Sequence, residues 1–63
     1  MTISIITINY NNSTGLRKTI QSVIAQTYNN IEYIVIDGGS TDDSKSIIEE
    51  YEKDIDLWIR KSL

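Results

Sequence analysis

The sequence contains no cysteine, no histidine and no proline. Without cysteine, neither disulfides nor thiolate metal sites can staple the chain, and without histidine the usual zinc ligands are missing as well. The lack of proline, and of any Gly/Ser-rich stretch, leaves no sign of an internal domain boundary, and no repeat is present. Long apolar runs are also missing: nothing approaches the roughly 20 residues that span a bilayer. Met1-Thr-Ile-Ser lacks the basic start and cleavage-site pattern of a signal peptide. Positive charge is scarce, with Lys and Arg numbering 6 against 9 Asp and Glu, for a net charge of −3. A nucleic-acid or anionic-lipid surface needs a clustered basic excess, so neither is an expected partner. A reducing cytoplasm is the expected compartment. A chain of 63 residues buries only about 60% of the surface its unfolded form exposes. With no staple available, it is expected to be part of a larger body or to dock onto a partner.

What is present is a regular alternation of apolar patterns. Thr2 to Ile8 carries Ile3, Ile5, Ile6 and Ile8, a β-branched run that predicts a buried strand covered on both faces. Asn9-Tyr-Asn-Asn-Ser-Thr-Gly15 then supplies side chains able to cap a helix. In that helix Leu16, Ile20, Val23 and Ile24 fall on one side, with Arg17, Lys18 and Gln21 on the other. Gln26-Thr-Tyr-Asn-Asn30 breaks the period, and Asn29 or Asn30 suits a left-handed turn. Ile31 to Ile36 predicts a second strand. Ile47, Ile48 and Tyr51 form the apolar side of a second helix, and Lys45, Glu49, Glu50, Glu52 and Lys53 its wet side. Asp54-Ile-Asp-Leu-Trp-Ile59 predicts a short third strand. The order β-α-β-α-β is that of half a doubly wound α/β fold with a parallel sheet, in which ligands bind outside the carboxyl ends of the strands.

Two segments reach that edge, Ile8 to Asn12 and Asp37 to Asp42. Adjacent strands lie about 4.8 Å apart, so Tyr10 and Asp37 would border a slot about as wide as a flat heterocycle. Tyr10 offers a ring to stack on and Asp37 an acceptor for a ring N–H. Gly38 and Gly39 allow close backbone approach, and the amides that open the next helix favour an anion. A nucleotide suits this set. An ordinary βα connection accounts for it too: Asp-Gly-Gly makes the turn, and Ser40-Thr-Asp-Asp43 reads as a capping box with Asp in place of Glu. The same stretch is not a calcium loop, because Gly39 and Thr41 stand where oxygen ligands are needed and no bidentate Glu follows. Asn11-Asn-Ser13 and Asn12-Ser-Thr14 match the glycosylation sequon, a match without meaning where there is no secretion.

Three separated pieces resemble the beginning of a family 2 glycosyltransferase of the GT-A type. They are Ser4-Ile-Ile-Thr-Ile-Asn-Tyr-Asn11, then Leu16 with Ile20-Gln-Ser-Val-Ile-Ala-Gln-Thr-Tyr28, then Glu32-Tyr-Ile-Val-Ile-Asp-Gly-Gly-Ser-Thr-Asp42. The resemblance implies that residues 1–63 form one partial domain, the Rossmann-like nucleotide-binding portion of an inverting enzyme. Its donor would be a nucleotide-diphosphate sugar, and its acceptor a glycan or lipid-linked sugar in polysaccharide or glycoconjugate synthesis. It implies that Ile8, Asn9, Tyr10 and Asn11 line the base, with Tyr10 stacked on it, and that Asp37, Gly38 and Gly39 contact base and ribose. Many members place a second acid before Gly-Ser, where this chain has Gly38. The family's divalent cation, Mg²⁺ or Mn²⁺, would be held in the full-length enzyme by a later Asp-x-Asp. Asp54-Ile-Asp56 matches that motif in letters but precedes a strand and so falls at the wrong sheet edge. With no metal ligands and no catalytic base, residues 1–63 alone are expected to be inactive. Homo-oligomer formation through an unpaired edge strand and peripheral association with the cytoplasmic face of a membrane are further expectations. The alternative reading is a catalytically inactive nucleotide-binding or self-associating module.

Overall fold

The period-2 and period-3.6 patterns become a three-stranded parallel sheet with two helices packed on one side. A computed structural model describes residues 2–26 and 30–61. Strand β1 (Ile3–Asn9) leads to helix α1 (Ser13–Ile24), strand β2 (Ile31–Asp37), helix α2 (Ser44–Glu50), a 3-10 turn (Glu52–Asp54) and strand β3 (Leu57–Arg60). The sheet order is β1-β2-β3. Both ladders are parallel, with Asn9 opposite Asp37 and Asp37 opposite Arg60. The end residues of all three strands therefore lie side by side at the carboxyl edge.

Successive strand residues point to opposite faces, and the register puts Tyr33 and Val35 beneath the helices. They join Leu16 and Ile20 of α1 and Ile47 and Ile48 of α2 in one buried cluster, closed by Ile55. Ile5, Val23, Tyr51 and Trp58 pack around it. The Tyr33 hydroxyl and Thr7 Oγ1 lie 2.8 Å apart, which satisfies the polar end of an otherwise apolar ring.

Three expectations are corrected. The isoleucine run of β1 is covered on one face only: Ile6 and Ile8 are exposed, and so are Leu57 and Ile59 on β3. Both helices lie against the other face. Second, Ser40-Thr-Asp-Asp43 does not form a capping box. The α2 N-cap is Asp43, whose side chain makes no cap bond, while Asp42 Oδ1 accepts the Ser44 amide at 2.9 Å. Third, β3 begins at Leu57 rather than at Asp54, which belongs to the 3-10 turn. Asp56 closes the amino edge of the sheet, its Oδ2 accepting the Tyr33 amide at 2.7 Å. Asn30 takes the left-handed conformation, with φ 60°. Asn29 lies outside the described residues, as do Thr27 and Tyr28.

Asn12 caps α1 by accepting the Gly15 amide at 3.2 Å. A Cβ on Gly15 would come within 2.3 Å of the Asn12 amide nitrogen, so a side chain at position 15 would force the capping side chain to shift. Among the described residues, no helix is long and apolar enough to cross a membrane.

Candidate functional site

The carboxyl edge of the sheet is built from inward-facing polar groups and outward-facing ones, sorted by the strand pleat. Asn9 and Asp37 end their strands on the helix side and are buried, Asp37 to 1% of its surface. Such a carboxylate persists only if its oxygens are satisfied, and here both are. Oδ1 accepts from Ser40 Oγ at 2.6 Å and from Asn9 Nδ2 at 3.1 Å. Oδ2 accepts the Ser40 and Gly39 amides at 2.8 and 3.2 Å. Burial pushes the Asp37 carboxyl up, but the hydrogen bonds from Ser40, Asn9 and Gly39 outweigh it and hold the group below the usual carboxylate range.

Asn9 extends the network, its Nδ2 lying 2.9 Å from Ser44 Oγ and 3.3 Å from Ser40 Oγ. The chain leaving β1 is stitched to the chain leaving β2. Asn9 O accepts the Gly38 amide at 2.9 Å. Asn11 donates its amide to Ser40 Oγ at 2.8 Å and accepts the Thr41 amide on Oδ1, also at 2.8 Å. Asn11 adopts φ 46° to do so, a conformation Asn tolerates better than most residues. Gly39 has φ 92°, where a side chain would be strained.

On the outward side, Ile8 is 75% and Tyr10 61% exposed. The sequence candidates thus divide. Ile8 and Tyr10 present open surface beside the Gly38-Gly39 turn, while Asn9, Asn11 and Asp37 each hydrogen-bond within this edge: Asn9 to Asp37, and all three to the turn. Sequence reasoning missed Ser40, Ser44 and Arg60. Ser40 fitted a helix start in the sequence and Ser44 carried no signal there, and only the fold brings Asn9 against them. Arg60 follows an apolar strand, and the parallel register carries it to Asp37: Nε stands 4.0 Å from Asp37 Oδ2, and Nη2 donates to Ser40 O at 2.7 Å.

A groove of about 580 Å³ opens elsewhere, between α1 and α2, lined by residues that include Arg17, Gln21, Ile47 and Glu50. An Arg17–Glu50 ion pair bridges its walls. It contains none of the candidates at the sheet edge.

The model of the family described as glycosyl transferase family 2 matches residues 4–61. An uncharacterized glycosyltransferase of Mycobacterium tuberculosis is 47% identical over 58 residues, which is 90% of this chain and 22% of that protein. One from Nostoc sp. is 43% identical over 53 residues, covering 84% of this chain and 16% of the relative. The glycosyltransferase GlyA of Streptococcus pneumoniae is 50% identical over 42 residues, 67% of this chain and 6% of that protein. The chain spans less than a quarter of the length of these curated relatives. With a match running through all three strands and both helices, the chain belongs to glycosyl transferase family 2.

Proposed function

We propose that the chain is the nucleotide-binding portion of an inverting glycosyltransferase, one in which an acceptor hydroxyl displaces the nucleotide from a nucleotide-diphosphate sugar. The observation that supports this best is the exposed Tyr10 ring, 61% open, standing at the carboxyl edge beside a glycine turn that is tied down from both strands. That edge is where parallel α/β sheets take their ligands. Tyr10 would stack on the base and Ile8 would extend the apolar floor. Gly38 is buried, so of the two glycines it is the backbone of Gly39 that would lie against base and ribose. Asp37, Asn9 and Asn11 would act on the nucleotide through the turn they hold.

Titration of the chain with UDP and GDP tests the reading. At least one is expected to bind, and Tyr10→Ala is expected to weaken it about tenfold to a hundredfold, the span for losing one base–aromatic stack. Binding of neither would leave Tyr10 as an ordinary surface aromatic.

Among the described residues, no three acidic side chains come together in a way that fits a divalent cation. The Mg²⁺ or Mn²⁺ of the full enzyme is proposed, from the family resemblance, to take its ligands from a later Asp-x-Asp, and the acid that deprotonates the acceptor to lie likewise outside these residues. The 63-residue chain is accordingly expected to transfer no sugar. Release of UDP or GDP from the corresponding sugar nucleotides, measured with purified chain and Mn²⁺, should stay at the blank rate. A rate above the blank would show that these residues suffice.

A further inference from the structure

We propose that Arg60 is a phosphate-binding residue of this nucleotide site, a role that rests on the nucleotide-binding reading above. Turns of this kind usually meet a phosphate with backbone amides at the start of the following helix. Here the amides of Gly38 to Thr41, and that of Ser44, are already taken. Gly38 N–H goes to Asn9 O at 2.9 Å, Gly39 and Ser40 N–H go to Asp37 Oδ2, Thr41 N–H goes to Asn11 Oδ1, and Ser44 N–H goes to Asp42 Oδ1. An anion arriving at the turn would have to displace one of the chain's own acceptors from each. At the turn itself, a phosphate therefore calls for a separate donor.

Arg60 is that donor by position and by chemistry. It ends β3 opposite Asp37 in the register, so its side chain starts from the same edge as the glycine turn and reaches across to it. A guanidinium carries five N–H donors in a planar fork that matches phosphate oxygens. Among the described residues, Arg60 makes one hydrogen bond, Nη2 to Ser40 O at 2.7 Å, and its side chain is 42% exposed.

The neighbouring Asp37 does not use up the remaining donors. Its oxygens hold four closer hydrogen bonds, from Asn9, Gly39 and twice from Ser40, and Arg60 Nε stands off at 4.0 Å. The other arginine is committed elsewhere, in the ion pair with Glu50 between the helices. The Ser40 carbonyl bond fixes the fork over the turn, and the remaining N–H groups stay open to solvent at the ligand edge. In a chain of net charge −3, a cation held in this place provides the local attraction that a nucleoside diphosphate requires.

Calorimetric titration of UDP, GDP, uridine and guanosine into the chain and into Arg60→Gln and Arg60→Lys separates the possibilities. Arg60→Gln should weaken the diphosphates roughly tenfold or more and leave the nucleosides unchanged. Arg60→Lys should recover part of the loss, and the salt dependence of diphosphate binding should flatten in Arg60→Gln. An equal loss for nucleosides and diphosphates would overturn the proposal, since that is what a distorted turn would give. Unchanged diphosphate binding would overturn it as well. If the parent chain binds none of the four, the nucleotide reading itself fails and the phosphate role falls with it.

Discussion

Asp37→Ala is expected to destabilise the chain by about 3 kcal/mol or more, because it orphans several buried donors that each cost about 1–3 kcal/mol when left unpaired. Ser40 would lose partners for both its hydroxyl and its amide, and Gly39 would lose the bond that holds its left-handed turn. Globular stability runs at roughly 0.05–0.15 kcal/mol per residue, so a loss of this size would consume much of what so short a chain has. The urea midpoint, followed by Trp58 fluorescence, should fall with little change in slope.

The same carboxylate makes a prediction about acid. Its pKa is lower folded than unfolded, because the bonds from Ser40, Asn9 and Gly39 overcome the opposing effect of burial. The unfolded chain therefore binds the proton more readily. The stability contributed by Asp37 is fully present above the unfolded value of about 3.9 and is lost as pH falls through the folded value. Urea midpoints should decline below about pH 4 in the parent. Asp37→Asn, already destabilised at neutral pH, should decline less steeply. Parallel curves would place the acid sensitivity on other carboxylates.

Ile48→Ala is the second large effect, expected to cost about 2–5 kcal/mol. Ile48 is 0% exposed and packs in the cluster with Ile20, Tyr33 and Val35, so the deleted methylenes leave a cavity under the centre of β2. Lys45→Ala, on the wet side of the same helix, should stay within about 0.5 kcal/mol. Thermal unfolding by circular dichroism at neutral pH compares them. Similar midpoints for the two variants would mean that α2 is held by something other than its isoleucine face.

The strands and helices were legible because each declares its own period. Leu16 and Ile20 mark the buried side of α1, Ile47 and Ile48 that of α2, and the Ile31 to Ile36 run stops one residue short of the ladder's end at Asp37. The bare face of β1 was not legible, since a run of isoleucines reads the same whether one face is covered or two. Ser40 was misread for a different reason. Its spacing satisfies a capping rule, but a buried carboxylate three residues back is a stronger partner than a helix amide. Asn9, Ser40 and Ser44 lie far apart in the chain, and no local pattern says that they meet. Tyr10 and the glycine turn stood out as a candidate edge from residue type and position, whereas Arg60 had no signal until the parallel register placed it opposite Asp37.

The pleat at the end of the first two strands separates two kinds of mutational consequence. In β1, Asn9 serves the interior and Ile8 the exterior, one residue apart, so neighbouring positions answer to different physical demands. A change at Asn9 disturbs the buried hydrogen-bond network, and a change at Ile8 alters only exposed surface. Insertion or deletion of one residue in β1 would exchange these duties all along the strand, putting isoleucines where Asp37 needs a donor and an asparagine out in water. The reading frame of the pleat, more than any single side chain, is what this edge of the molecule has to preserve.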